Sequence, residues 1–155
     1  MSRIRILVVN SKGQAAVEFL LILPLFIFFL LLLLDFGLFM YQWVSVTNAV
    51  REGARFGAVN CRTGRCDPNT IAQVVVNRSG GVIQSVAEVS VGWVDNNGNG
   101  RNYDRGDSVV VRARHPYSFL FVPGVTWDAY SCADMRLEQM DDNTGLPAGR
   151  PCTEG

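Results

Sequence analysis

Several kinds of residue are scarce in this chain, and each scarcity removes a class of function. His115 is the only histidine in 155 residues. It stands before Pro116 at the end of a strand-like run, where a structural role fits better than general-base catalysis. No nucleophile elbow, phosphate-binding glycine loop or histidine-rich metal motif occurs, so nothing in the sequence reads as an enzyme. Excess charge is also missing: 14 basic residues balance 14 acidic ones, for a formal net charge of +0. Without a basic stripe, nucleic acid is excluded as a partner. Cysteine does not occur before Cys61, and charge is absent from Phe19 to Leu34.

That uncharged run is the main positive signal. Lys12–Gly37 reads KGQAAVEFLLILPLFIFFLLLLLDFG, with Glu18 before the apolar run and Asp35 after it. A membrane span needs roughly 20 apolar residues to cross a hydrocarbon core of about 30 Å, and Ala15–Leu34 supplies that length. A cleaved secretory signal is excluded by length and by the absence of a small-x-small site after Leu34. A buried core helix is excluded because the run is apolar on every face. Arg3, Arg5 and Lys12 precede the run, so the positive-inside bias expects a cytoplasmic amino terminus. Tyr41 and Trp43 would mark the far interface as aromatic anchors. Pro24 lies inside the run and is expected to bend or loosen the helix.

The helix is expected to continue beyond the membrane. Gln42–Asn60 contains no proline, and Val46, Ala49, Val50, Gly53 and Gly57 recur at helical spacing. Ala49, Gly53 and Gly57 form a stripe of small residues, which expects close approach of another backbone. Packing on the chain's own sheet is the preferred reading over an intermolecular contact. The rest of the head follows in order. Asp67-Pro68 opens a short helix over residues 68–79, with Ile71, Val74 and Val75 as its apolar face and Gly80-Gly81 as its end. Strands are expected within Val82–Val94, over Ser108–Arg114 and over Trp127–Glu138. The fold class is therefore α+β: a long N-terminal transmembrane helix continuing into a head with a second short helix and a small antiparallel sheet.

The four cysteines, Cys61, Cys66, Cys132 and Cys152, all follow the span, and an even number in an exported segment expects disulfides rather than zinc. Three pairings are open; Cys61 with Cys66 and Cys132 with Cys152 is the preferred one. Asp95, Asn97, Asn99 and Gly100 fit the opening of a calcium loop. The glutamate expected at its twelfth position is Gly106, with Asp104 and Asp107 nearby. The same residues are ordinary hairpin-loop chemistry. Calcium is thus the one cofactor to consider, and the loop reading is preferred.

Gly13-Gln14-Ala15-Ala16-Val17-Glu18-Phe19 resembles the processing site of type IV prepilins. With Leu23-Pro24-Leu25, Thr47-Asn48-Ala49 and Arg51-Glu52-Gly53-Ala54-Arg55, the stretch resembles the TadE-like family, pilin-like proteins of the tight-adherence (Tad, Flp) pilus machinery. Gly106–Val111, His115–Leu120 and Met135–Glu138 also resemble that family's downstream pattern. The resemblance implies a pilin-like head and cleavage between Gly13 and Gln14 by a membrane-embedded prepilin peptidase. Residues 1–13 would be a removable leader, 14–41 the transmembrane part and 42–155 an exported head. Glu18, with Phe19 beside it, would set the assembly register by pairing with a neighbouring subunit's new amino terminus. The implied partners are the inner membrane, the peptidase, other pilins and the Tad assembly platform. The implied place is the bacterial inner membrane, single pass with the head periplasmic, or the extracellular pilus itself. A permanently anchored periplasmic binding domain is the alternative.

Overall fold

The computed structural model describes residues 11–60, 67–98, 100, 106–137 and 148–152. Helix α1, Ser11–Asn60, runs for 50 residues without interruption through Pro24. At about 1.5 Å per residue it is on the order of 75 Å long. Its two halves meet different surroundings. From Gly13 to Leu34 nearly every side chain is exposed, and most are Leu, Ile or Phe. From Asp35 onward one face is buried, carrying Asp35, Phe39, Val46, Ala49, Val50, Ala54 and Ala58 at spacings of three, four and seven.

Helix α2, Pro68–Arg78, starts as its sequence dictates. The Asp67 carboxylate accepts the Asn69 N–H at 3.0 Å, and Pro68 fills the first position, where no donor is needed. Ser79 closes it, its N–H bonded to Val75 O at 3.0 Å, and Gly80 and Gly81 follow with positive φ. Ile71, Ala72 and Val75 are buried, whereas Val74 is only half-buried. The small-residue stripe of α1 seats this helix. A Cβ on Gly53 would lie 2.3 Å from Val75 Cγ2, and one on Gly57 would lie 3.1 Å from Ile71 Cδ1. The stripe therefore packs within the chain, but the partner of its glycines is chiefly α2 rather than the expected sheet, which they meet only where Gly57 faces Val109.

Three antiparallel strands follow in the order β1-β2-β3: β1 Val89–Val94, β2 Ser108–Ser118 and β3 Thr126–Arg136. Trp93, Val109, Val111, Ala113, Ala129 and Ala133 share the inner face and pack on α1 and α2. Each fully buried Val or Ile in this core stabilises by about 1.5–3 kcal/mol. Two boundaries differ from expectation. Val82–Glu88 is not strand. Ser85 accepts the Ala87 N–H at 3.2 Å while Glu88 accepts the Ser85 N–H at 3.3 Å, a capping box that starts a one-turn 3-10 helix. Strand β2 runs past Arg114 and through Pro116, paired with β3 as far as Ser118, whereas its pairing with β1 stops at Ala113 opposite Val89. Beyond that point β2 has a neighbour on one side only, where a proline is tolerated.

The last described segment crosses the outer face of the sheet. Ala148 bridges to Trp93 at the free edge of β1, and Gly149 N–H bonds Trp93 O at 2.6 Å. The Arg112 guanidinium then bonds the carbonyls of Arg150 (2.7 Å) and Pro151 (2.9 Å), and Cys152 joins Cys132 of β3 with Cα atoms 5.8 Å apart. Gly92 and Gly149 cross so closely that a Cβ on Gly92 would lie 2.7 Å from the Gly149 Cα. This strap buries Val110, which shares the outer face of β2 with Arg112 and Arg114.

Candidate functional site

The residues singled out in the sequence sit at three places. At the start of α1, a Cβ added to Gly13 would meet nothing within 4 Å, and its φ is not positive. Packing does not ask for glycine there. The Gln14 side chain donates to Glu18 Oε1 at 3.2 Å, an i,i+4 contact on an exposed face, and Phe19 is exposed beside it. Pro24 is exposed too and leaves the helix unbroken.

At the other end of the apolar run, Asp35 is not the solvated boundary charge that its position suggests. It is 0 % exposed. The tip of the β2–β3 hairpin folds over it. The Tyr117 hydroxyl donates to Oδ1 at 2.5 Å, and the backbone N–H groups of Leu120 and Phe121 donate to Oδ2 at 2.8 and 3.1 Å. A buried carboxylate without such donors would be strongly unfavourable. Around this lock Phe39 contacts Tyr117, Phe119 and Trp127 at ring-centroid distances of 5.6, 5.8 and 5.6 Å, with Trp43 at 5.9 Å. Burial pushes the Tyr117 phenol up to about 12, helped by its hydrogen bond to Asp35 and the carboxylate's charge. The head thus grips the helix about two turns before Gln42, where the sequence alone would have begun it.

The apolar half, the lock and the small-residue stripe all belong to one helix, and that helix carries the match to known families. Residues 13–55 match the family described as TadE-like protein. No curated protein and no solved structure matches the chain. The TadE-like stretch runs from Gly13 through Asp35 to Arg55, wholly within α1. The downstream strings at Gly106–Val111, His115–Leu120 and Met135–Glu138 lie outside it. By length and composition, the helix that holds this stretch is long and apolar enough to cross a membrane, which suggests membrane anchoring.

The third place is the loop after β1. Asp95 Oδ1 accepts the N–H groups of Asn97 (3.0 Å) and Gly98 (2.7 Å), and Oδ2 accepts that of Gly100 (2.7 Å). Asp107 is buried and accepts the Asn96 N–H at 3.1 Å. Both carboxylates fold the loop upon itself, as aspartates do in Asx turns. Among the described residues no three His, Cys, Asp or Glu side chains come together as a metal site. Asn99 and Asp104 lie outside the described residues, as do Cys61 and Cys66. His115 Nδ1 lies 2.7 Å from Glu88 Oε2, so the single histidine ties β2 to the turn before β1.

Asp35 as a tertiary lock was missed by sequence reasoning, which left it as the end of the span. A signal was present. Ser118–Thr126 (SFLFVPGVT) is too apolar for a hairpin loop in water, which ordinarily draws on Gly, Asn, Asp and Ser.

Proposed function

We propose that this chain is a structural, pilin-like subunit, a minor pilin or assembly factor of a tight-adherence pilus, processed between Gly13 and Gln14. The observation that carries the reading is the division of α1. Its first half holds exposed apolar side chains with no partner among the described residues, and its second half is the spine of the head. Such a helix can exchange lipid for the helices of neighbouring subunits without disturbing its own fold. The amino terminus lies on the cytoplasmic side and the head outside. Glu18 serves as the register group, paired in the assembly with the ammonium of a neighbour's Gln14.

Gly13 supports the processing step. A helical glycine costs about 1 kcal/mol relative to alanine, and here no packing contact requires one. Scission needs an extended backbone in the protease cleft, and glycine eases the unwinding of that first turn. Mass spectrometry of the membrane and sheared-pilus fractions tests the reading. Gln14 is the expected amino terminus, and Gly13→Leu is expected to retain the leader. An intact leader in the unsubstituted chain would favour a permanently anchored domain instead.

A further inference from the structure

We propose that the tip of the β2–β3 hairpin, Phe119–Val125, is a second membrane-contact element, seated among phospholipid headgroups on the head's side of the bilayer. The proposal rests on the reading of α1 as a membrane anchor and adds a contact that the helix alone does not provide. The level of the tip follows from the lock. Leu120 and Phe121 donate their N–H groups to Asp35, the residue that ends the apolar run. If Ala15–Leu34 fills a hydrocarbon core of about 30 Å, the tip lies at its edge.

The chemistry of the tip fits that level. From Tyr117 to Trp127 the hairpin carries no charged residue. Leu120 is 76 % exposed and Val125 38 %, on a tip turned by Pro123 and Gly124 (φ 87°). Moving back from the tip, Trp127 is 53 % exposed and contacts Phe39, as Trp43 does, and the next residue of β3 is Asp128, ion-paired with Arg114. Apolar, aromatic, then charged is the order of a bilayer interface read from the core outward. The backbone fits as well. The N–H groups of Phe119, Leu120, Phe121 and Val125 are bonded within the chain, which lowers the cost of leaving water. The occupant is lipid rather than a second copy of the chain. A loop presenting so few apolar side chains falls well below the roughly 1,000 Å² that a specific protein interface needs.

The test uses the full chain in nanodiscs of phosphatidylethanolamine and phosphatidylglycerol. A benzophenone amino acid replaces Leu120, with Val125 as a second tip position, Leu30 as a control in the span and Ser90 as a control on the sheet. Photolysis is expected to give lipid adducts at 120 and 125 on the scale of those at 30, and many-fold above those at 90. Lipid adducts at 30 with none at the tip, or with the tip crosslinked to a second copy, would overturn the proposal and leave the anchor standing. An absence of lipid adducts at 30 would overturn the anchor, and the proposal with it.

Discussion

Asp35 shows how one side chain can connect two distant parts of a chain. Its carboxylate takes donors from residues more than eighty positions away, and all of them leave water when it does. Asp35→Ala strands the Leu120 and Phe121 N–H groups, each unpaired donor costing about 1–3 kcal/mol, and leaves the Tyr117 hydroxyl only the backbone carbonyl of residue 35, at 3.3 Å. Hydrogen exchange of the Leu120 and Phe121 amides is the direct measurement: it should accelerate sharply in that variant, with the amides of β1 little changed. Unchanged exchange would show that the tip is held by its aromatic contacts alone. Tyr117 adds a pH dependence whose sign is fixed by its raised value. The neutral phenol is the favoured form, so its stabilisation is complete below about 10, the ordinary tyrosine value, and is lost as pH rises through about 12. An absorbance titration of tyrosinate should show a late-ionising group that is absent in Tyr117→Phe.

At the scale of elements, the contact between α1 and α2 depends on what the stripe lacks. Gly53→Ala would drive a methyl into Val75, and overpacking of this kind costs about 1–3 kcal/mol. Gly37→Ala meets nothing within 4 Å and gains helix propensity of about 1 kcal/mol. Denaturation of the two variants should therefore move in opposite directions. The elements themselves were largely legible from the chain. The cap at Asp67-Pro68, the period of Val46–Gly57 and the alternation of Val89, Val91 and Trp93 are local signals that tertiary contacts did not overrule. What escaped notice depended on distant residues. The strap over Val110 needs Gly92 and Gly149 to meet across the sheet, and no local pattern carries that. Ser85–Glu88 was different: its capping box was readable, and the valines around it suggested a strand instead.

The whole molecule divides into a half that is finished on its own and a half that is not. The head has a core, a disulfide and a strap, whereas the first half of α1 presents apolar side chains all round. Glu18 lies at the far end of that unfinished half, exposed, so its removal should not affect folding. Glu18→Ala is expected to leave membrane insertion unchanged, as read by fractionation, and to reduce incorporation into sheared pili. Normal piliation would remove the pairing role assigned to it.

The clasp of the hairpin on Asp35 also has a mechanical meaning. A head joined to its anchor by the helix backbone alone would be held at one line of attachment and could lean away from it. Here a second attachment stands off the helix axis, at the level where the apolar run ends. Torque applied to the apolar half of the helix then has a second route to the sheet, through the Asp35 contacts as well as through the packed outer half of α1. Loosening Asp35 would leave that second route to the aromatic contacts of Phe39 alone.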